Sequence, residues 1–369
     1  MNFSFVAPCY FGLESAAAFD FKRIGAQNVT VTDGRIHFTG DEQILAKANL
    51  RSRCGERILI SLATFPAHTF DELFEGVYAI PWENYIPRNG KFPVKGSSLS
   101  SQLSSVPACQ SIVKKAVVQS LRKGHKVEFL PERGEEYRIR FSIRKDIAEV
   151  FLDTSGEGLH KRGYRRKASL APLKETLAAA MADFGRIRRS SLMQDPFCGS
   201  GTLVIESALK ALNIAPGIKR TFAAEHYSFL PAGLFDEARA QARAEETPDA
   251  PFEGFGLDID PEIVQLAAAN AKLAGVEKQC RFTVADAGQF SPSSKSIVLT
   301  NPPYGERLMD KDSAARLVTS FGKAMEKSPV AGAYIITADD SFEKNYGKPA
   351  VKRRKVYNGM IPCQIYMYY

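Results

Sequence analysis

Apolar residues in the first part of this chain come in short runs whose spacing switches between the strand period of two and the helix period near four. Asn2 to Ala7 alternates, Leu13 to Ile24 repeats at helical spacing, and a hairpin turns at Asp33-Gly34. A helix over Asp41 to Arg51 and a strand over Arg57 to Phe65 complete a β-α-β-β-α-β order, which predicts a small α+β ferredoxin-like unit. A helix from Thr69 to about Ile80, a Gly/Pro-rich strand near Phe92 to Gly96 and a long helix from Ala108 to Lys123 are expected next. Strands follow at Lys126 to Leu130, Tyr137 to Ile143 and Ala148 to Asp153. The glycine-rich, basic stretch Ser155 to Lys167 reads as a linker.

Beyond it the pattern changes. Helices over Pro172 to Phe184, Thr202 to Leu212, Pro261 to Ala274 and Ser313 to Glu326 alternate with strands. Those strands are Leu192 to Asp195, Phe252 to Asp258, Arg281 to Val284, Ser296 to Thr300 and Gly332 to Ala338. Such alternation predicts a Rossmann-like α/β fold on a parallel sheet. Two β-rich runs, Val351 to Tyr357 and Cys363 to Tyr369, flank Asn358-Gly359 and predict an antiparallel hairpin closing one sheet edge.

At 369 residues the chain exceeds one compact domain. Its 44% hydrophobic and 24% charged content is that of a globular protein, and no apolar run approaches the length of a bilayer span. The start, Met1-Asn2-Phe3-Ser4-Phe5, lacks the basic and apolar regions of a secretory signal, so a cytoplasmic location is expected. Six scattered cysteines form no Cys-x-x-Cys pair and five dispersed histidines no ligand spacing, so reduced core thiols and no metal are expected. The net charge of +8 and pI near 9.1 permit a polyanionic partner.

The first strong motif is Asp195-Pro196-Phe197-Cys198-Gly199-Ser200-Gly201-Thr202, between a strand and a helix. Its glycines allow a tight backbone approach to a ligand, and the helix that follows offers free N–H groups to an anionic group. A dinucleotide fingerprint or a Walker loop would space its glycines differently and, for the latter, add Lys-Ser/Thr. Asp258 ends the next strand, where a carboxylate can accept both hydroxyls of a ribose; Asp260, before Pro261, suits a helix cap. Asp286, after the third strand, is a candidate acceptor for an adenine amine. The second motif, Asn301-Pro302-Pro303-Tyr304-Gly305, follows the fourth strand. Its prolines stiffen a turn in which the Asn301 carboxamide and Pro302 carbonyl can both accept from one amine, with Tyr304 stacking on its ring. Such a clamp turns the nitrogen lone pair toward an incoming methyl without metal or covalent intermediate.

With these motifs in order, the C-terminal half resembles class I S-adenosylmethionine methyltransferases. The whole chain resembles the THUMP-containing RNA guanine-N2 methyltransferases, including the segment Leu159-His160-Lys161-Arg162-Gly163-Tyr164-Arg165. The resemblance implies a ferredoxin-like domain over 1–65, a THUMP domain over 66–154 placed on Trp82 and Tyr85, a linker over 155–170, and a seven-stranded methyltransferase domain over 171–369. It implies S-adenosyl-L-methionine as donor, S-adenosyl-L-homocysteine as product, and RNA as partner, ribosomal before transfer RNA, with no obligate protein partner. Asp195, Phe197, Gly199, Gly201, Thr202, Asp258, Ile259, Asp286, Ala287 and Asn301 would contact the donor, Pro172 and Thr176 would wall its site, and Asn301, Pro302, Pro303 and Tyr304 would orient guanine. The charged insertion between Leu212 and Phe252 departs from a minimal fold and is expected to shape RNA contact or to add a helical pair. Basic runs at Lys161 to Lys167, Arg186 to Arg189 and Lys352 to Lys355 are candidate phosphate contacts. Competing readings are an adenine-N6 DNA methyltransferase, a protein-glutamine methyltransferase and a non-catalytic RNA-binding module.

Overall fold

The computed structural model describes residues 2–165, 173–303 and 311–369. Its N-terminal sheet contains β1 (Phe3–Pro8), β2 (Gln27–Thr32), β3 (Arg35–Gly40), β4 (Leu59–Pro66), β5 (Val94–Leu99), β6 (Ile139–Arg144) and β7 (Ile147–Asp153), in the order β2-β3-β1-β4-β7-β6-β5. β4 pairs antiparallel with β1 on one side and with β7 on the other, so the two regions expected as ferredoxin-like and THUMP domains share one continuous sheet. Asp41 and Thr69 cap the helices Glu42–Arg51 and Phe70–Tyr78, each side chain accepting from a backbone N–H three residues on. The strand expected over Lys126 to Leu130 does not form. Lys126 ends the helix Val106–His125 in a left-handed turn with φ 54°, Pro131 has no N–H to give a ladder, and Phe129 points to solvent.

The C-terminal sheet contains β8 (Leu192–Asp195), β9 (Glu253–Asp258), β10 (Cys280–Val284), β11 (Ile297–Thr300), β12 (Gly332–Thr337), β13 (Lys352–Asn358) and β14 (Ile361–Tyr368). The order is β10-β9-β8-β11-β12-β14-β13. The first five of these positions run parallel and β14 turns antiparallel against β12, giving the Rossmann-like sheet and the closing hairpin that the pattern predicts. Because the strands are parallel, Asp195, Asp258, the loop after Val284 and Thr300-Asn301 emerge at one edge, where folds of this kind bind ligands.

The insertion forms one helix, Leu234–Ala244, and a short 3-10 turn at Ala223–His226. It is a clamp between the two halves. Gly217 N–H donates to Leu50 O, Ala224 N–H to Thr154 O, and the Tyr227 hydroxyl to Asp153 O at 2.6 Å, while Phe229 packs against Phe3 and Tyr85. The described part of the expected linker is equally committed: Leu159, Arg162 and Tyr164 are buried, Arg162 lies against Glu206, and Arg165 pairs with Glu175. Arg162 also donates to the Ser52 and Arg53 carbonyls and so joins the two halves, and neither arginine is free for phosphates. Trp82 is likewise a core residue, its indole N–H donating to Val77 O. All six cysteines are buried.

Candidate active site

Gly199 and Gly201 both have positive φ, 51° and 80°. A Cβ on Gly199 would meet nothing within 4 Å, so its backbone faces open space, and Gly201 starts the helix Thr202–Ala211 without any side-chain cap. The helix N-terminus is thus left to whatever enters that space. Ser200 and Thr202 pair their hydroxyls at 3.1 Å, and Asn270 holds the Ser200 carbonyl. Phe197 stands edge-on to Phe321.

Two carboxylates frame this loop. Asp258 accepts from Gly199 N–H through one oxygen and from Asp260 N–H through the other, both at 3.1 Å, and remains partly exposed. Asp260 caps the helix Pro261–Ala274, accepting from Glu262 and Ile263 N–H. Asp195 is 1% exposed; its Oδ1 accepts from the Thr300 hydroxyl at 2.6 Å and from Phe197 N–H at 3.1 Å. Among the described residues no cation pairs with it. Burial, and secondarily the charge of Asp258 (outweighing the two hydrogen bonds), push its pKa up to about 7.

Thr300 lies outside both motifs, yet it ties them together, since it precedes Asn301 and its hydroxyl holds Asp195. A hydroxyl residue closing an apolar strand directly before Asn-Pro-Pro was the available signal. Asn301 Oδ1 is buried and accepts no hydrogen bond among the described residues. An orphan acceptor of this kind costs about 1–3 kcal/mol, which an arriving donor recovers. Pro302 beside it is buried and Pro303 half-buried.

On the other flank Asp286 caps a 3-10 turn by accepting from Gly288 N–H at 2.8 Å, and Ala287 is buried beneath it. Asp286 borders a cavity of 230 Å³ with Leu257, Ala285 and Phe290. Ile259, 72% exposed, lies over the same edge. A larger cavity of 590 Å³ opens at the opposite strand ends, around Glu253, Gly254 and Gly275, and shares no residue with the motifs. Thr176 is fully buried and donates to Glu56 Oε1 of the N-terminal half at 2.6 Å, a contact between the two halves. Pro172 and Tyr304 lie outside the described residues. Asp20, Cys54 and Asp183 offer ligand atoms within 4.8 Å of one another at the domain junction. Their carboxylates are engaged, by Lys210 at Asp183 and by Arg53 and Cys54 N–H at Asp20.

The model of the RMKL-like methyltransferase domain matches residues 162–367, more than half the chain. The chain belongs to that family. Models of the RlmL ferredoxin-like domain and the THUMP domain match residues 4–59 and 67–153 of this methyltransferase. It is 40% identical to a Bacillus subtilis (strain 168) protein described as "Putative RNA methyltransferase YpsC", over all of this chain and 96% of that one. Among solved structures it resembles a "predicted N6-adenine-specific DNA methylase" from Listeria monocytogenes (38% identity, TM-score 0.94, 100% and 96% of the two chains). It also resembles "SMU.472, a putative methyltransferase complexed with SAH" (36%, TM-score 0.93, 100% and 98%). No helix of the described residues is long and apolar enough to cross a membrane.

Proposed function

We propose that this methyltransferase transfers a methyl group to the exocyclic N2 amine of a guanine in structured RNA, 23S ribosomal RNA before transfer RNA, and releases S-adenosyl-L-homocysteine. The observation that carries the reading is the buried, unpartnered Asn301 Oδ1, set one residue beyond the Thr300 hydroxyl that fixes Asp195. The donor's chemistry fits the residues present: the open cradle at Gly199 and the uncapped helix at Thr202 suit a carboxylate. The uncompensated Asp195 suits a cationic ligand. When bound, S-adenosyl-L-methionine supplies a methyl carbon activated by its sulfonium charge. Asp258 keeps lone pairs for ribose hydroxyls, while Ile259, Ala287 and Asp286 offer an apolar face and one acceptor to adenine.

On the substrate side, Asn301 Oδ1 accepts one amine N–H, and Pro302 and Pro303 stiffen the turn that presents its carbonyls to the other. Holding both N–H groups keeps the nitrogen lone pair on the methyl side. Tyr304 is assigned to the ring face on the motif alone. The same clamp would serve adenine N6, the reading in the description of the Listeria monocytogenes relative. The THUMP match over 67–153 and the description of the Bacillus subtilis relative support RNA instead.

Transfer of labelled methyl to total RNA and genomic DNA, followed by nucleoside mass spectrometry, tests the reading. N2-methylguanosine is the expected product; label in DNA N6-methyladenine overturns the RNA assignment. Asn301→Ala is expected to lose about 10²–10³-fold in turnover, the scale for removing one polar group poised at a transition state. Its affinity for S-adenosylhomocysteine, read by calorimetry, should fall far less than turnover does. Undiminished turnover would remove Asn301 from the clamp.

A further inference from the structure

The register of the C-terminal sheet makes β13 and β14 stand higher than the catalytic strand. Thr300 of β11 is level with Ile335 of β12, which is level with Tyr366 of β14. β14 begins at Ile361, and Tyr357 of β13 faces Pro362. Four residues separate Pro362 from Tyr366, so Tyr357 rises about 13 Å beyond the level of Thr300, at roughly 3.3 Å per residue. The hairpin is a wall beside the mouth of the site. Its top is apolar: Met360 is 94% exposed and Ile361 41%.

A second element completes this wall. The loop after β1 brings Tyr10 and Phe11 of the N-terminal half against the hairpin, where Phe11, 50% exposed, meets Tyr357 edge-on at 6.3 Å. Gly12 makes the approach possible. It has φ 88°, and a Cβ there would collide with the Lys355 carbonyl; Arg354 then locks the loop by donating to Gly12 O at 2.9 Å. Lysines line the same rim. Lys174 stands 5.6 Å from the Tyr10 ring, just before the helix Glu175–Phe184, and Lys355 stands 5.8 Å from Tyr357. Among the described residues, neither lysine forms an ion pair with a carboxylate.

We propose that Phe11, Tyr357 and Met360, with Lys174 and Lys355, form a stacking rim that takes the unpaired nucleotides flanking the target base. This rests on the RNA reading above. Solvent-reaching rings beside lysines that no carboxylate pairs, one of them, Lys174, held by the Tyr10 hydroxyl, are what single-stranded RNA requires: ring faces for bases and point charges for phosphates. A protein or lipid partner would need no ring-and-lysine alternation on an edge that overlooks the amine clamp. With a base withdrawn from its stack into the Asn301 pocket, its neighbours are unstacked too and lie at the height of this wall.

The full-length chain, a fluorescent single-stranded RNA and a duplex of the same length provide the test. Phe11→Ala and Tyr357→Ala are each expected to weaken single-strand binding about ten-fold, as loss of one stacked base does, with little change for duplex. Tyr357→Trp should restore it. Lys355→Ala should lower the salt slope of binding by about 0.7, the contribution of one single-strand phosphate. S-adenosylhomocysteine affinity and melting temperature should match the wild type in all variants. If the wild type binds RNA and forms N2-methylguanosine while the ring variants bind equally well, the rim is wrong and the function stands. If the wild type binds no RNA, both fall. Ring variants that change only the solution mass would make the patch a contact between copies, which also overturns the proposal.

Discussion

Asp153 and Asp195 are both fully buried, and each is the last residue of a strand, one in the N-terminal sheet and one in the C-terminal sheet. Their surroundings differ in one respect that matters. Asp153 Oδ2 takes Arg57 at 2.8 Å and Arg140 at 2.6 Å, and its Oδ1 takes the N–H groups of Ser155 and Gly156. Asp195 receives a hydroxyl and one N–H, both on Oδ1, and no cation among the described residues. A buried charge needs a counter-charge. Where the protein supplies it, the aspartate is a joint in the structure; where it does not, burial pushes the carboxyl's pKa up to about 7, which suits the cationic donor proposed above.

The largest expected effect breaks the first half of this contrast. Asp153→Ala strands two guanidinium groups, and removing one partner of a buried pair costs about 3–5 kcal/mol. Urea unfolding should show that loss, while the folded fraction binds S-adenosylhomocysteine as the wild type does. A loss well under 1 kcal/mol would mean that Arg57 and Arg140 find other partners and that Asp153 is no joint.

Asp195→Asn should do the reverse. The folded carboxyl of Asp195 keeps its proton up to about 7, whereas the ordinary value is 3.8. Between those values the folded form binds more protons than the unfolded chain, so its contribution to stability falls as pH rises through that window. The carboxamide cannot ionise. The melting temperature of the variant, relative to wild type, should therefore climb from pH 4 to pH 7 and level off above. Asp20, also raised, to about 6, titrates in both proteins and cancels from the difference. Donor affinity should fall in the same variant. A difference in melting temperature that is flat with pH would show that Asp195 has a counter-charge after all.

The contrast was half legible beforehand. Asp195 stood out because Gly199 and Gly201 follow it, and Asn301 because two prolines do; local motifs announce themselves in sequence. Asp153 was only the end of an apolar run, since its partners Arg57 and Arg140 lie 96 and 13 residues away. Long-range pairs leave no local trace. For the same reason the segment through Arg162 read as a linker and the residues from 213 to 251 as an insertion of open purpose, although both hold the halves together. The Lys126 to Leu130 stretch has a strand's alternation, but that alternation does not show that the preceding helix runs on to His125 and ends at Lys126 in a left-handed turn.

The smallest prediction concerns that insertion. Tyr227 stacks on Tyr137 with ring centroids 4.6 Å apart and donates its hydroxyl to the Asp153 carbonyl. Tyr227→Phe keeps the stack and removes one hydrogen bond, so the loss should be about 1 kcal/mol, read by the same urea titration. Methyl transfer and donor binding should not change, because Asp153 and the insertion belong to the joint and Asp195 to the proposed site. A variant of wild-type stability with several-fold slower transfer would show that the joint reaches into the chemistry, and the division between the two aspartates would have to be redrawn.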